Sequence, residues 1–268
     1  MRALATITSF LLLLSLLSCR SEFEKIRTSG DPNKIKEEAD RLFEKGEYTR
    51  SITLMELVIP SFRGRAGAED LSYQFADAHY LNGSYTLAAH YFKSFAETYG
   101  ASPRREEAMY RSAYCNYRLS PRSQLDQESS QRAIDAFQLF VNTYPNSERV
   151  VDCNRYIDEL RNKLEEKAFN AGRLYYNTKN YSSAIQSLDN LLKDFPGTTK
   201  TEEARFLLVK ASLDWADNSI YLRQQERYQK TIDRCKSYLR KHPDSKRAEE
   251  VSKFQERCEK ELNNIQNG

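Results

Sequence analysis

The chain has little of what irregular folds and active sites are built from. Its 268 residues include 9 Gly and 7 Pro, few for that length, which favours long regular elements joined by short turns. There are 3 His: His79 and His90 fall on stretches of helical periodicity, His79 as a core or groove residue and His90 on the surface, and His242 lies in a turn. No GxSxG, Walker A, HExxH, CxxC or Gly-rich phosphate loop occurs, so the common nucleophile, phosphate and metal sites lack their residues. The pairs Glu37-Glu38 and Glu202-Glu203 open helices, where anions complement the N-terminal dipole. No catalytic residue, metal ligand or cofactor is expected. With 41 basic and 38 acidic side chains the net charge is +3, and both signs are interleaved as on solvated helix faces. Nucleic acid would require a concentrated basic face.

The long apolar run is residues 4–17 (LATITSFLLLLSLL), after the positive start Met1-Arg2. At about 1.5 Å rise per residue it is too short to cross a hydrocarbon core of about 30 Å, and it has the proportions of a secretory signal. Leu16-Leu17-Ser18-Cys19 resembles the bacterial lipobox, in which a small residue precedes an obligatory Cys because a diacylglycerol is joined to its sulfur. We expect residues 1–18 to be a lipoprotein signal peptide, Cys19 to carry lipid, and residues 19–33, with Gly30-Asp31-Pro32, to be a flexible tether. One acyl chain holds a membrane only marginally; the lipobox resemblance implies three. Cys115, Cys153, Cys235 and Cys258 remain. In an exported chain they permit two disulfides in three connectivities; four buried thiols, packed as small hydrophobes, is the favoured reading.

One unit recurs five times. A small residue near the start of a helix is followed twelve positions later by Gly or Pro: Ala88 to Gly100, Ala133 to Pro145, Ala184 to Pro196, Thr231 to Pro243. Ser51 is the counterpart in the first unit, whose helix should stop at Pro60. Apolar side chains come four and seven positions after each anchor: Met55 and Val58, Phe92 and Phe95, Phe137 and Phe140, Leu188 and Leu191, Cys235 and Tyr238. Those offsets share one helix face. A second small residue lies on an earlier helix, twelve positions back in Ala39/Ser51, Ala76/Ala88 and Gly172/Ala184, and twenty back in Ala113/Ala133 and Ala211/Thr231. Facing small residues let two antiparallel helices cross closely. Tyr48, Tyr85 and Tyr181 should cover the turns, and Ser147, Thr198 and Ser245 should cap the helices that follow. Residues 147–176 lack Pro and read as one long helix.

This pattern resembles the tetratricopeptide repeat, a helix–turn–helix unit of about 34 residues. The expected fold is all-α: a tetratricopeptide-repeat superhelix (solenoid) of about five helical hairpins plus a C-terminal capping helix. An N-terminal half of three units would occupy residues 34–147, and a C-terminal half of two units with the cap residues 148–268. In such a stack the first helices line the concave surface, so residues flanking the first small position should face a groove. They include Lys36, Asp40 and Phe43; Tyr73, Asp77 and Tyr80; Tyr110, Tyr114 and Tyr117; and Phe169, Arg173 and Tyr176. The candidate peptide-binding set is Phe43, Tyr73, Asp77, Tyr80, Tyr110, Tyr114 and Tyr117, because tyrosines offer apolar faces with polar tips at small entropic cost. For any single ring, exposure in the groove and packing between repeats are equally good readings.

A lipobox followed by five irregular units, with an insertion before the third anchor, where Leu125-Asp126-Gln127-Glu128-Ser129-Ser130-Gln131-Arg132-Ala133 leads into Ala136-Phe137, then Tyr144-Pro145-Asn146-Ser147 and a long helix, resembles the BamD-type lipoproteins of the outer-membrane β-barrel assembly machinery. The resemblance implies a periplasmic scaffold, lipid-anchored in the outer membrane. Its C-terminal half would bind the outer-membrane barrel-assembly protein, and its N-terminal half would receive unfolded outer-membrane proteins. A lengthened fifth unit and a Lys/Arg-rich end (Lys236, Arg240, Lys241, Lys246, Arg247) depart from that family. The alternative is a cell-envelope repeat lipoprotein coordinating division or peptidoglycan proteins.

Overall fold

The computed structural model describes residues 22–267, all of whose regular elements are helices. The leader, the lipobox and Cys19 lie outside the described residues. Two compact units are present. The first comprises the described residues up to Pro121 together with Glu128–Ile157. It holds α1 (Glu22–Arg27), α2 (Pro32–Glu44), α3 (Tyr48–Phe62), α4 (Ala68–Leu81), α5 (Tyr85–Thr98), α6 (Arg105–Leu119), α7 (Glu128–Thr143) and the start of α8 (Val150–Asn177). The second comprises Arg122–Gln127 and the residues from Asp158 on, with the rest of α8, α9 (Tyr181–Asp194), α10 (Thr201–Asp217), α11 (Tyr221–Lys241) and α12 (Ala248–Asn267).

Within each unit the helices pack as the tetratricopeptide-type hairpins the spacing predicts: α2 on α3, α4 on α5 and α6 on α7 in the first, α10 on α11 in the second. The paired small residues Ala39/Ser51, Ala76/Ala88, Ala113/Ala133 and Ala211/Thr231 are wholly inaccessible. At the first crossing Ser51 Oγ donates to the Ala39 carbonyl at 2.7 Å, so even the polar member is satisfied. The apolar residues four and seven positions on, from Met55 and Val58 to Cys235 and Tyr238, are buried without exception. Rings also pair across the turns as Phe43–Tyr48 (5.6 Å), Tyr80–Tyr85 (5.7 Å) and Tyr176–Tyr181 (6.0 Å). The same turns place Gly46 and Gly83 at positive φ, where a Cβ would be strained. Lys179 occupies the equivalent place in the α8–α9 turn, also at positive φ. His79 is buried between Phe75 and Tyr91, and His90 is exposed.

Several local expectations are corrected. Helix α3 does not stop at Pro60 but runs through it to Phe62, because Ile59 and Phe62 pack on the first hairpin's core. In the stretch expected to be a flexible tether, residues 22–27 are helical, and Phe23 and Ile26 pack on that core, with the Arg50 guanidinium 4.6 Å from the Phe23 ring. Asp31 caps α2, accepting from the Asn33 and Lys34 amides. The lengthening of the fifth hairpin is mostly helical, since α11 begins at Tyr221. Its first turns are tied down by buried Tyr228, whose hydroxyl donates to Asp217 at 2.9 Å. Ser147, Thr198 and Ser245 sit three residues before the first residues of their helices, Val150, Thr201 and Ala248, rather than at the cap itself. Each accepts the amide two positions on, from Arg149, Lys200 and Arg247.

Gly172 gives the sharpest packing constraint. A Cβ there would lie 2.7 Å from Cγ and Cδ2 of Leu188, a side chain with no exposure. Gly172→Ala should therefore destabilise the protein by about 1–3 kcal/mol, despite the gain of up to about 1 kcal/mol in helix propensity. Urea denaturation of G172A, L188A and the double variant should show strong non-additivity, with L188A partly relieving the clash.

Candidate functional site

The candidate site lies in the first unit. Tyr73, Asp77 and Tyr80 occupy one face of α4, and Tyr110, Tyr114 and Tyr117 the same face of α6, at offsets of 0, 4 and 7. On α6 the Tyr110 and Tyr114 rings stack at 6.1 Å, and Tyr114 and Tyr117 at 5.8 Å. Tyr156 of α8 joins them, 4.4 Å from Tyr117 and 5.6 Å from Tyr114. The inner edges of these rings touch the core: Tyr73 meets Phe92 and Phe95 at 5.7 and 5.2 Å, and Tyr110 meets Phe140 at 5.9 Å. All of these tyrosines are half-buried. Packing and presentation are thus not alternatives, since each ring anchors one edge and leaves the other open.

Other members of the expected groove go elsewhere. Among the described residues the ring partner of Phe43 is Tyr48, and Phe43 stays with the first hairpin's core, outside the cluster. Lys36 and Asp40 pair with each other at 2.7 Å. In the second unit Phe169, at the repeat position of Tyr73 and Tyr110, is buried in one cluster with Ala184 and Leu188. Tyr176 donates its hydroxyl to Asp214 at 2.8 Å.

Arginines organise the face. Arg111 pairs with Asp77 and, at 2.6 Å, with Glu107, while its guanidinium lies 5.4 Å from the Tyr80 ring. Arg104 pairs with Glu69 and Asp70 and lies 5.0 Å from Tyr73. Arg149 pairs with Glu107 and lies 4.2 Å from Tyr110. Asp77 and Glu107 are therefore neutralised in place, while Arg118, hydrogen-bonded to Tyr114 and 4.8 Å from the Tyr85 ring, adds a cation at the edge of the face. Planar guanidinium suits this double duty, bonding carboxylate at its edge and covering a ring with its plane.

Arg104 and Arg149 belong to a joint that recurs at hairpin boundaries. Ser102 donates to Glu69 at 2.7 Å, Ser147 to Glu106 at 2.6 Å and Ser245 to Glu202 at 2.7 Å. Two residues after each Ser comes the Arg, set over an aromatic ring four residues beyond that Glu: Tyr73, Tyr110 and Phe206. Lys200 stands likewise 5.5 Å from Phe169. Arg104, Arg111, Arg149 and Tyr156 are not among the positions the spacing predicts. The repeated Ser/Thr-x-Arg/Lys after each turn is the sequence signal for Arg104 and Arg149, and none marks Arg111 or Tyr156.

The four cysteines are buried free thiols. Burial pushes Cys115, Cys235 and Cys258 up to about 12 and Cys153 to about 11, so none is a nucleophile at neutral pH. Among the described residues no group of three or more His, Cys, Asp or Glu could hold a metal ion. Burial also raises Tyr73 and Tyr80. Burial, with Tyr156 alongside, raises Tyr110 to about 12. The face can stack on apolar side chains and donate hydrogen bonds from neutral phenols.

Residues 28–216 match the profile of the YfiO family, described as outer membrane lipoprotein. The chain is 29% identical over 136 residues to the outer membrane protein assembly factor BamD of Caulobacter vibrioides, covering 51% of this chain and 45% of that protein. It is 22% identical over 178 residues to BamD of Haemophilus influenzae, covering 63% and 68% respectively. The chain thus spans under half of the Caulobacter relative. A TPR repeats protein of known structure from Bacteroides fragilis aligns over 85% of this chain and 98% of its own, at 12% identity and a TM-score of 0.37; that likeness carries no argument.

The raised Tyr110 sets a stability window. A group whose folded pKa exceeds its unfolded value of about 10 contributes stability fully present below pH ~10 and lost as pH rises toward about 12. Chemical denaturation from pH 8 to 12 should show this fall, and Tyr110→Phe should make it shallower; an unchanged slope would remove Tyr110 as a contributor.

Proposed function

Because the chain belongs to the YfiO family of outer membrane lipoproteins, we propose that it is a periplasmic scaffold of outer-membrane β-barrel protein assembly. Residues 34–147 would receive unfolded outer-membrane proteins, and residues 148–268 would hold the barrel-assembly protein of the membrane. The observation that carries the reading is the half-buried tyrosine face of α4 and α6, completed by Tyr156. Unfolded outer-membrane chains carry aromatic and aliphatic side chains that such rings can stack on, and the phenols offer donors to backbone carbonyls. Similarity to BamD proteins over part of their length supports the assembly role.

Lipid on Cys19 would attach the protein to the outer membrane. Among the described residues no helix is long and apolar enough to cross a membrane. Attachment is then the task of the lipobox, whose thiol is the acceptor.

Replacing Tyr80 and Tyr114 together with Ala should weaken photocrosslinking to a denatured outer-membrane β-barrel protein about tenfold, the equivalent of roughly 1.4 kcal/mol, within the range for two lost aromatic contacts. The melting curve separates lost binding from lost fold: undiminished crosslinking by a folded variant excludes the face. For the anchor, Cys19→Ala should yield an uncleaved or soluble form that takes up no labelled palmitate. Unaltered membrane fractionation and labelling would refute lipidation. Purification from detergent-solubilised membranes should recover a large β-barrel protein; recovery of only division or peptidoglycan proteins would replace the assembly reading.

A further inference from the structure

In the first unit, α3 and α5 stand apart over α4 and leave an open groove of about 600 Å³. Leu71 and Phe75 of α4 form its floor, and Tyr91 and Phe95 of α5 its far wall. The near wall is a single stripe of α3, with Glu56, Ile59 and Pro60 ending at Arg63 just past the helix, at offsets of 0, 3, 4 and 7. Ser72 and Ser94 supply small side chains where larger ones would fill the space. This site is separate from the tyrosine face, where Tyr73 and Tyr80 project from other positions of α4.

The rim differs from the tyrosine face in one decisive respect. There every acid named above has an arginine, but here Glu56 and Arg63 are both exposed, and neither forms an ion pair or side-chain hydrogen bond among the described residues. The wall thus presents one free anion and one free cation at the two ends of an apolar strip. Seven residues at about 1.5 Å rise separate them by about 10 Å along α3. Pro60 has no N–H to give the Glu56 carbonyl, so the same wall carries a backbone acceptor without its helical donor.

We propose that this groove docks an amphipathic helix of another protein, antiparallel to α3, with two large apolar side chains in the groove and a carboxylate seven residues ahead of an amine. An extended chain pressed into this apolar strip would leave backbone groups unpaired, whereas a helix satisfies its own. A ligand helix has the same rise as α3, so Glu at position i meets Arg63 and Lys at i+7 meets Glu56 in register. That order also places acid near the ligand's N-terminus and base near its C-terminus, as the ligand helix's own dipole favours. Anchor residues in a groove with a charged rim is how helical ligands are commonly held.

The test uses the mature chain and a fluorescein-labelled, alanine-based helical peptide with Glu at i, Leu at i+3, Phe at i+4 and Lys at i+7, followed by fluorescence anisotropy. Glu56→Lys and Arg63→Glu should each weaken binding about fivefold. The double variant E56K/R63E should prefer the peptide with Glu and Lys exchanged. Both positions are exposed, so the fold should survive, and circular dichroism checks it. Any of four results would overturn the proposal: no binding of the peptide, equal binding by all charge variants, equal binding by a proline-interrupted peptide of the same side chains, or loss of binding on replacing Tyr80 and Tyr114. A concentration-dependent dimer abolished by E56K/R63E would reassign the groove to self-association.

Discussion

The distance at which two helices can cross decides most of this structure. Ala39 against Ser51, Ala76 against Ala88, Gly172 against Ala184 and their counterparts remove side-chain bulk where the axes are nearest. The backbones then approach until larger groups above and below, such as Phe92 and Phe95 or Leu188 and Leu191, meet and close the core. A crossing so tight also fixes helix rotation. Once Ala76 and Ala113 point at their partners, Tyr73, Tyr80, Tyr110, Tyr114 and Tyr117 are carried to the rim of the interface, with one edge inside and one outside. The tyrosine face follows from where alanine sits.

Between hairpins a different kind of contact operates. A serine in the turn binds the glutamate that opens the preceding hairpin's first helix, and the arginine two residues on covers an aromatic ring beside that glutamate. None of these contacts is individually large, since exposed ion pairs contribute roughly 0–1 kcal/mol and exposed cation–π contacts about 0.5–1 kcal/mol. Their value lies in geometry, because serine, carboxylate and ring must all be met at once and few orientations satisfy the three. One of these arginines, Arg149, also pairs with Glu107 beside the tyrosine face, so the contact that joins hairpins contributes to the electrostatics of the surface they share.

The hairpins were legible because a small residue followed at four and seven positions by large ones is a property of helix geometry alone. The long helix was legible for want of any proline in residues 147–176. The tyrosines on α4 and α6 could be placed by counting from Ala76 and Ala113. Counting failed where partners are far apart in sequence: Arg104, Arg111 and Arg149 reach across to a neighbouring hairpin, and Tyr156 arrives from α8, outside the counted positions. Phe169 holds the counted position, with Lys200 over its ring as arginines cover Tyr73 and Tyr110, but it is a buried ring without a polar tip rather than a half-buried phenol. Pro60 misled in another way, since a breaker at the end of α3 was outweighed by the burial of Ile59 and Phe62 behind it.

The four cysteines among the described residues divide evenly, Cys115 and Cys153 in the first unit and Cys235 and Cys258 in the second. Each is sealed within packed helices, so oxidants and alkylating reagents reach sulfur only when the surrounding hairpin opens. The protein therefore carries a native clock of local breathing in each unit. In an oxidising environment that clock doubles as a hazard, because any prolonged opening exposes a thiol to irreversible capture, and the integrity of the stack becomes a matter of how rarely its hairpins part.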